Sequence, residues 1–229
     1  MNELKYLKWD SIFFKKKVFE LNVFEKTFNK NKLKYNLIQS NVKLMEKEKI
    51  NYLEKEGFHL EELNIEFKKI LEKKIDLDFK YKKAKEIDTK KLVEFSDFFK
   101  QSRYNIFGRK KVKEFYSEWI KNAILGEFDD VCFMIEKEME VLGLVTLKDI
   151  NSVQARIGLI VVNEKFQSSG VGKKLLKIAE KYCLDNNKKE LFVSTQGSNL
   201  KAQNFYIKNG YLINEIGAWY YLLKEGKID

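Results

Sequence analysis

The sequence predicts an α/β fold in two units, a smaller one over residues 1–80 and a larger one over 81–229. Three observations carry that expectation. Short runs rich in β-branched and aromatic residues alternate with longer stretches of helical periodicity. From about residue 80 the elements read β-α-α-β-β-β-α-β-α-β. No internal repeat or low-complexity linker breaks the pattern, and 229 residues can bury one or two cores without disulfides.

In the first unit, KKKVFELNVF (15–24) and KYNLIQSNV (34–42) have strand character and are bounded by Asn. VKLMEKEKINYLEK (43–56) reads as an amphipathic helix stopped by Gly57, and FHLEELNIEFKKIL (58–71) alternates like another strand. The second unit opens with KAKEI (83–87) as a short strand. Two helices follow, roughly 89–101 and 110–124, separated by the loop QSRYNIFGR. VCFMIEKEMEVLGLVTLKDI (131–150) predicts a hairpin turning near Glu138. NSVQARIGLIVV (151–162) is the next strand, with Ile157, Leu159 and Val161 expected on one face. The helix after it carries Val171, Leu175, Ile178 and Tyr182 at helical spacing. Strand ELFVST (190–195), helix NLKAQNFYIKN (199–209) and strand LINEIGAWYYLLK (212–224) complete the order.

Composition narrows the function classes. The net charge of +10 is diluted along the chain, with 18 Lys/Arg against 14 Asp/Glu in residues 1–80 and 26 against 20 in the remainder. Diffuse lysine of this kind reads as a solvated surface, so nucleic acid is not an expected partner, while an anionic small substrate suits the field. Cys132 and Cys183 sit far apart in apolar contexts and are expected to be buried free thiols. The single histidine, His59, excludes a His-based metal cluster and makes a Ser-His-Asp or Cys-His site improbable. With no signal-like N-terminus and no apolar run of membrane length, a cytoplasmic protein without membrane insertion is expected. The sequence leaves the oligomeric state open, a homodimer included.

The chemistry concentrates at QSSGVGKKLL (167–176), a small-residue turn between an apolar strand and a helix. A loop of the type that cradles nucleoside triphosphates needs Gly at 167 and Ser or Thr at 174, where Gln167 and Lys174 stand. A dinucleotide fingerprint needs Gly at 175, where Leu175 stands. What remains is Q-x-x-G-x-G. Gly170 and Gly172 leave the backbone free to turn consecutive N–H groups toward an anion, and the helix start adds partial positive charge.

This loop, the strand before it and the later N-x-x-A-x-x-F-Y pattern (Asn199, Ala202, Phe205, Tyr206), closed by Asn209-Gly210-Tyr211, resemble the GNAT superfamily of N-acetyltransferases. Glu164 departs from the proline common after that strand. Within the superfamily, WDSIFF (9–14), SRY (102–104), EFYSEWIKNAILGEFDD (114–130), VTLKDINSVQARIGL (145–159), STQGSN (194–199) and YIKNGYLINEIGAWYYL (206–222) resemble the dTDP-fucosamine acetyltransferase family. The resemblance implies a mixed central sheet flanked by helices, and an enzyme that moves acetyl from acetyl-CoA to the 4-amino group of a dTDP-linked 4-amino-4,6-dideoxy sugar. It implies that Gln167, Ser168, Ser169, Gly170, Val171, Gly172 and Lys173 hold the cofactor pyrophosphate. It further implies that the backbone of Leu159, Ile160 and Val161 pairs with the cofactor's amide arm, with Asn199 and Ala202 alongside, and that Tyr206 acts as general acid. No metal is implied.

Other expectations come from residue chemistry. Asn199 also stands where a helix N-cap would be. A guanidinium suits pyrophosphate, so Arg103 and Arg109 are candidates for holding the acceptor, with Tyr104 and Phe107 placed to stack on thymine or sugar. No general base is readable; Glu118 fits an exposed helical carboxylate better than a base, and a water relay to bulk would serve equally. Two alternatives stay open: an acetyltransferase for a protein N-terminus or small amine, and a non-catalytic module that binds coenzyme A.

Overall fold

The computed structural model describes residues 4–22, 33–100 and 102–224. Ten strands form one mixed sheet: β1 (Leu4–Tyr6), β2 (Val18–Leu21), β3 (Leu37–Lys43), β4 (His59–Ile70), β5 (Lys82–Lys83), β6 (Val131–Lys137), β7 (Glu140–Asp149), β8 (Gln154–Val162), β9 (Glu190–Gln196) and β10 (Leu212–Leu223). Their spatial order is β1-β2-β3-β10-β4-β9-β8-β7-β6-β5. The helices are α1 (Lys8–Phe14), α2 (Lys47–Lys55), α3 (Thr89–Leu92), α4 (Arg109–Leu125), α5 (Val171–Asp185) and α6 (Leu200–Lys208).

Strand alternation sorts the helices into two layers. Leu63, Ile65 and Phe67 of β4 point to one face, where Leu53 of α2 and Leu175, Ile178 and Tyr206 of α5 and α6 pack. The other face buries Leu92, Val112, Phe115 and Ile120 of α3 and α4 against Met134, Leu144 and Leu159. Phe14 of α1 joins this second core, stacked on Phe107 with ring centroids 4.0 Å apart.

The strands of residues 1–80 do not pair only among themselves. β4 lies between β10 and β9, antiparallel to both, and β3 pairs with β10 from Lys43↔Gly217 to Leu37↔Leu223. The two units expected from the sequence therefore share one sheet.

Several elements differ from their expected extent. The strand expected over 15–24 is β2, and residues 23–24 lie outside the described residues. KAKEI contributes only Lys82–Lys83. The helix expected over 89–101 is α3 followed by a 3-10 stretch over Val93–Phe98, with Gln101 outside the described residues. Ser96 and Asp97 favour local side-chain hydrogen bonding over helix continuation there. The hairpin turns at Glu138 and Met139, both with positive φ (51° and 66°), the conformation that a two-residue turn between antiparallel strands requires.

Candidate functional site

The site begins with a strand that loses its neighbour. β8 pairs with β7 as far as Val162↔Gly143, but its parallel pairing with β9 covers only Gln154–Ile157 against Glu190–Val193. Beyond that point β9 stays on β4 through Gln196, and the two central strands part.

A β-bulge sits where they separate. The β7–β8 register passes from Val145↔Ile160 to Leu147↔Ile157, leaving Thr146 opposite both Gly158 and Leu159. The extra residue reverses the alternation. Ile157 packs into the α5 core, whereas Leu159 and Val161 pack into the α4 core, so the three do not share the face expected for them.

The bulge also redirects the backbone. The Leu159 N–H donates to Thr146 Oγ1 at 2.8 Å, and the Asn163 N–H donates to Leu142 O at 2.9 Å. By strand alternation Val161 faces β7 as well, so the amides of Ile160 and Val162 face the opening. Of the three residues expected to pair with a cofactor arm, Leu159 and Val161 turn their N–H groups to β7, and Ile160 alone presents its N–H to the opening.

At one end of the opening stands the glycine loop. Gly170 is in the left-handed region (φ 86°), with nothing within 4 Å of where a Cβ would lie. Ser168 also has positive φ (65°). The Ser169 hydroxyl donates to Phe166 O at 2.6 Å, and Lys201 Nζ donates to Gln167 Oε1 at 2.5 Å, tying the loop to α6. Val171 is buried in the core, and the Lys174 N–H is the first to find an intrahelical partner, Gly170 O at 3.1 Å. The preceding N–H groups of α5 are left for an anion. Gly172 serves packing: a Cβ there would meet the Phe205 ring at 3.1 Å.

Tyr206 lies on α6, its ring beside Phe67, Phe205 and Tyr211 with centroids 5.4–5.9 Å apart. It is buried, and its hydroxyl makes no hydrogen bond to the described residues. Burial pushes its phenol well above the usual value, so it carries its proton throughout the neutral range. Asn199 is the N-cap of α6, its Oδ1 accepting from the Ala202 N–H at 3.1 Å.

A cleft of about 1150 Å³ crosses the opening and joins these parts. Gln167, Ser168, Gly170, Gly172 and Lys173 line one end, and Asn199, Ala202 and Tyr206 line it near β9. The αL glycine with open space beside it, the free helix-start amides and the unpaired edge of β8 fit coenzyme A. The α4 side of the cleft is walled by Arg103, Tyr104, Trp119 and Arg156.

The structure separates the four residues expected to hold the acceptor. Arg109 lies outside the cleft, its guanidinium donating to Phe99 O at 2.8 Å and Asp97 O at 3.0 Å. Phe107 is taken up by its stack on Phe14. Arg103 and Tyr104 do line the cleft, but Arg103 is bound by its neighbours. Its Nη1 donates to Gln39 Oε1 and Tyr221 Oη, each at 2.7 Å, and its Nη2 donates to the Tyr104 hydroxyl. The guanidinium is sandwiched between the Tyr104 and Trp219 rings at 4.0 and 3.7 Å. Glu118 pairs with Lys121 at 3.8 Å and does not line the cleft.

Other wall residues had no acceptor role assigned from the sequence, which placed Arg156 beside the cofactor as a structural residue. Arg156 is exposed and makes no hydrogen bond or ion pair to the described residues. Glu62, Asn64 and Glu66 of β4 line the same cleft. The signal for these was the polar phase of FHLEELNIEFKKIL, which does not reveal what it faces. Among the described residues no group of three or more His, Cys, Asp or Glu is placed to hold a metal, and no helix is long and apolar enough to cross a membrane.

Comparison with known proteins agrees with this fold. The curated relatives matched include a dTDP-fucosamine acetyltransferase of Escherichia coli, 32% identical over 108 residues, covering 47% of this chain and 46% of the relative. A streptothricin acetyltransferase of Escherichia coli is 28% identical over 93 residues, covering 41% of this chain and 53% of the relative. The matches thus span about half the length of those relatives. Among solved structures, a GCN5-related N-acetyltransferase from Sphaerobacter thermophilus superposes with a TM-score of 0.62 at 12% identity, over 84% of this chain and 61% of that one. A PaiA N-acetyltransferase from Thermoplasma acidophilum, in complex with coenzyme A, gives 0.52 at 18% identity, over 65% and 100%. The model of the acetyltransferase (GNAT) family matches residues 92–211, from α3 to the start of β10, which is more than half of the chain. The chain belongs to the GNAT acetyltransferase family.

Proposed function

We propose that the protein is an N-acetyltransferase that moves acetyl from acetyl-CoA to the 4-amino group of a dTDP-linked 4-amino-4,6-dideoxy sugar. The observation that carries the transferase reading is the opening between β8 and β9. It exposes strand amides in the same cleft as a helix-start glycine loop and a phenol that keeps its proton.

The cofactor supplies an activated thioester, and the chain's residues position and polarise the reacting groups. The loop over Gln167–Lys173 fixes the phosphates through backbone N–H groups. The N–H of Ile160 or Val162 donates to the thioester carbonyl oxygen as negative charge grows there. Tyr206 holds a proton for the departing sulfur. Alignment across the opening supplies much of the acceleration.

For the acceptor, the dTDP-fucosamine acetyltransferase relative supports the sugar. With Arg103 engaged and Arg109 outside the cleft, Arg156 is the unpaired guanidinium suited to a sugar-linked pyrophosphate. Glu62 and Glu66 on the same cleft favour a second reading, in which the acceptor is a cationic amine. Thiol release from acetyl-CoA, followed across dTDP-linked amino sugars and polyamines, separates the two. Turnover with a dTDP-4-amino sugar that falls at least tenfold in Arg156→Ala supports the first. Turnover with polyamines alone, reduced in Glu62→Gln, replaces it with the second.

A further inference from the structure

We infer that Asp129 is a positioning residue for acetyl transfer: through Thr146 it locks the β8 bulge, and with it the direction of the amides at the opening. The inference rests on the acetyltransferase reading but uses residues that reading leaves without a role.

Asp129 is 1% exposed and sits in the loop between α4 and β6. That loop is pinned to β7. The Asp130 N–H donates to Leu147 O at 2.8 Å, the Asp149 N–H donates to Asp130 Oδ2 at 2.6 Å, and Lys148 Nζ donates to Phe128 O at 2.5 Å. From this fixed base, Asp129 Oδ2 accepts the Thr146 hydroxyl at 2.5 Å and the Trp119 indole N–H at 2.9 Å. Its Oδ1 is buried with no hydrogen-bond partner among the described residues, and no cation pairs with it there. A carboxylate out of water with half its accepting capacity empty is a poor device for stability.

Its placement is specific. A Cβ on Gly158 would lie 2.0 Å from Asp129 Oδ2, so the carboxylate rests directly against the bulge and requires glycine there. Because the carboxylate accepts the hydrogen bond of the Thr146 hydroxyl, the hydroxyl's lone pairs are turned to the Leu159 N–H, which donates to it at 2.8 Å. Gly158 and Leu159 both stand opposite Thr146, and fixing Leu159 this way sets the phase of every residue after it. That phase points Ile160 and Val162 into the opening. The same carboxylate holds Trp119, which lines the α4 side of the cleft. One buried group thus sets both the donor strand and an acceptor wall.

The test compares Thr146→Val, Thr146→Ser and Asp129→Asn with wild type in three readouts: exchange of the Leu159 amide, affinity for acetyl-CoA relative to coenzyme A, and kcat against acceptor KM by thiol release. Thr146→Val is expected to speed Leu159 exchange, erase any preference for acetyl-CoA and lower kcat roughly tenfold or more, with acceptor KM within twofold. Thr146→Ser restores all three, and Asp129→Asn falls between. If Thr146→Val does not fold, Asp129→Asn must still speed Leu159 exchange and lower kcat at constant KM. Wild-type exchange or wild-type kcat in a folded Thr146→Val, or in Asp129→Asn, overturns the inference. A wild-type protein that transfers no acetyl overturns the enzyme reading instead, while exchange and relative affinity continue to read the lock.

Discussion

Tyr206 lines the cleft with a protonated hydroxyl and no hydrogen-bond partner among the described residues, an arrangement in which removing one oxygen disturbs chemistry more than packing. Tyr206→Phe is expected to lower kcat on the order of 100-fold in steady-state thiol release while leaving coenzyme A affinity in calorimetry within twofold. Because burial raises its pKa, loss of the Tyr206 proton should not limit the rate until above pH 10; an alkaline limb near 8 that vanishes in the variant would contradict the raised pKa. Gly158→Ala drives a methyl group into the Asp129 carboxylate, and a loss of about 2 kcal/mol in urea unfolding is expected. Residues whose placement depends on local spacing were legible in the sequence: Gln167, Gly170 and Gly172 in one turn, and Asn199, Ala202, Phe205 and Tyr206 along one helix and its cap, all lining one cleft. Arg103 and Arg109 were not resolved, because neighbours in a loop point different ways and only the fold decides which guanidinium is already engaged. Asp129 and Thr146 were invisible for a similar reason: a bulge is a property of two paired strands.

Most elements were legible, because each carries its own period and punctuation. Gly57 and Gly126, both with positive φ (87° and 79°), end α2 and α4 where apolar periodicity stops. The reversal of faces in β8 was not, although Gly158 inside an apolar run was its signal. Contacts that join elements were equally hidden. Lys69 of β4 donates to Glu180 of α5 at 2.7 Å and to Asn209 O, after α6, at 3.0 Å, bracing both helices of the donor side on the strand that bridges β9 and β10. The Glu180 side chain is 7% exposed and that of Lys69 26%. Glu180→Ala is expected to cost about 1–2 kcal/mol, less than a fully buried pair because Lys69 keeps Asn209 O and some water. A lowered urea midpoint with unchanged slope would show it.

The whole molecule rests on the shared sheet. Since β4 separates β9 from β10, a fragment over residues 81–229 would leave both strands without a central partner, and it is expected to be insoluble or unfolded by circular dichroism. Stability should also fall in alkali. Burial pushes the Cys132 and Cys183 thiols from 9.0 up to about 12, so above pH 9 the unfolded chain releases protons that the folded chain keeps. That contribution is full below pH 9 and is lost as pH rises toward 12; urea midpoints rising across that window would contradict the burial of both thiols. The central claim is that the donor pairs with the edge of β8 freed at the bulge. Amide hydrogen exchange with and without acetyl-CoA tests it most directly. Ile160 and Val162 should gain protection on binding while Leu159, already engaged by Thr146, stays unchanged; binding that leaves Ile160 and Val162 exchanging as before would contradict it.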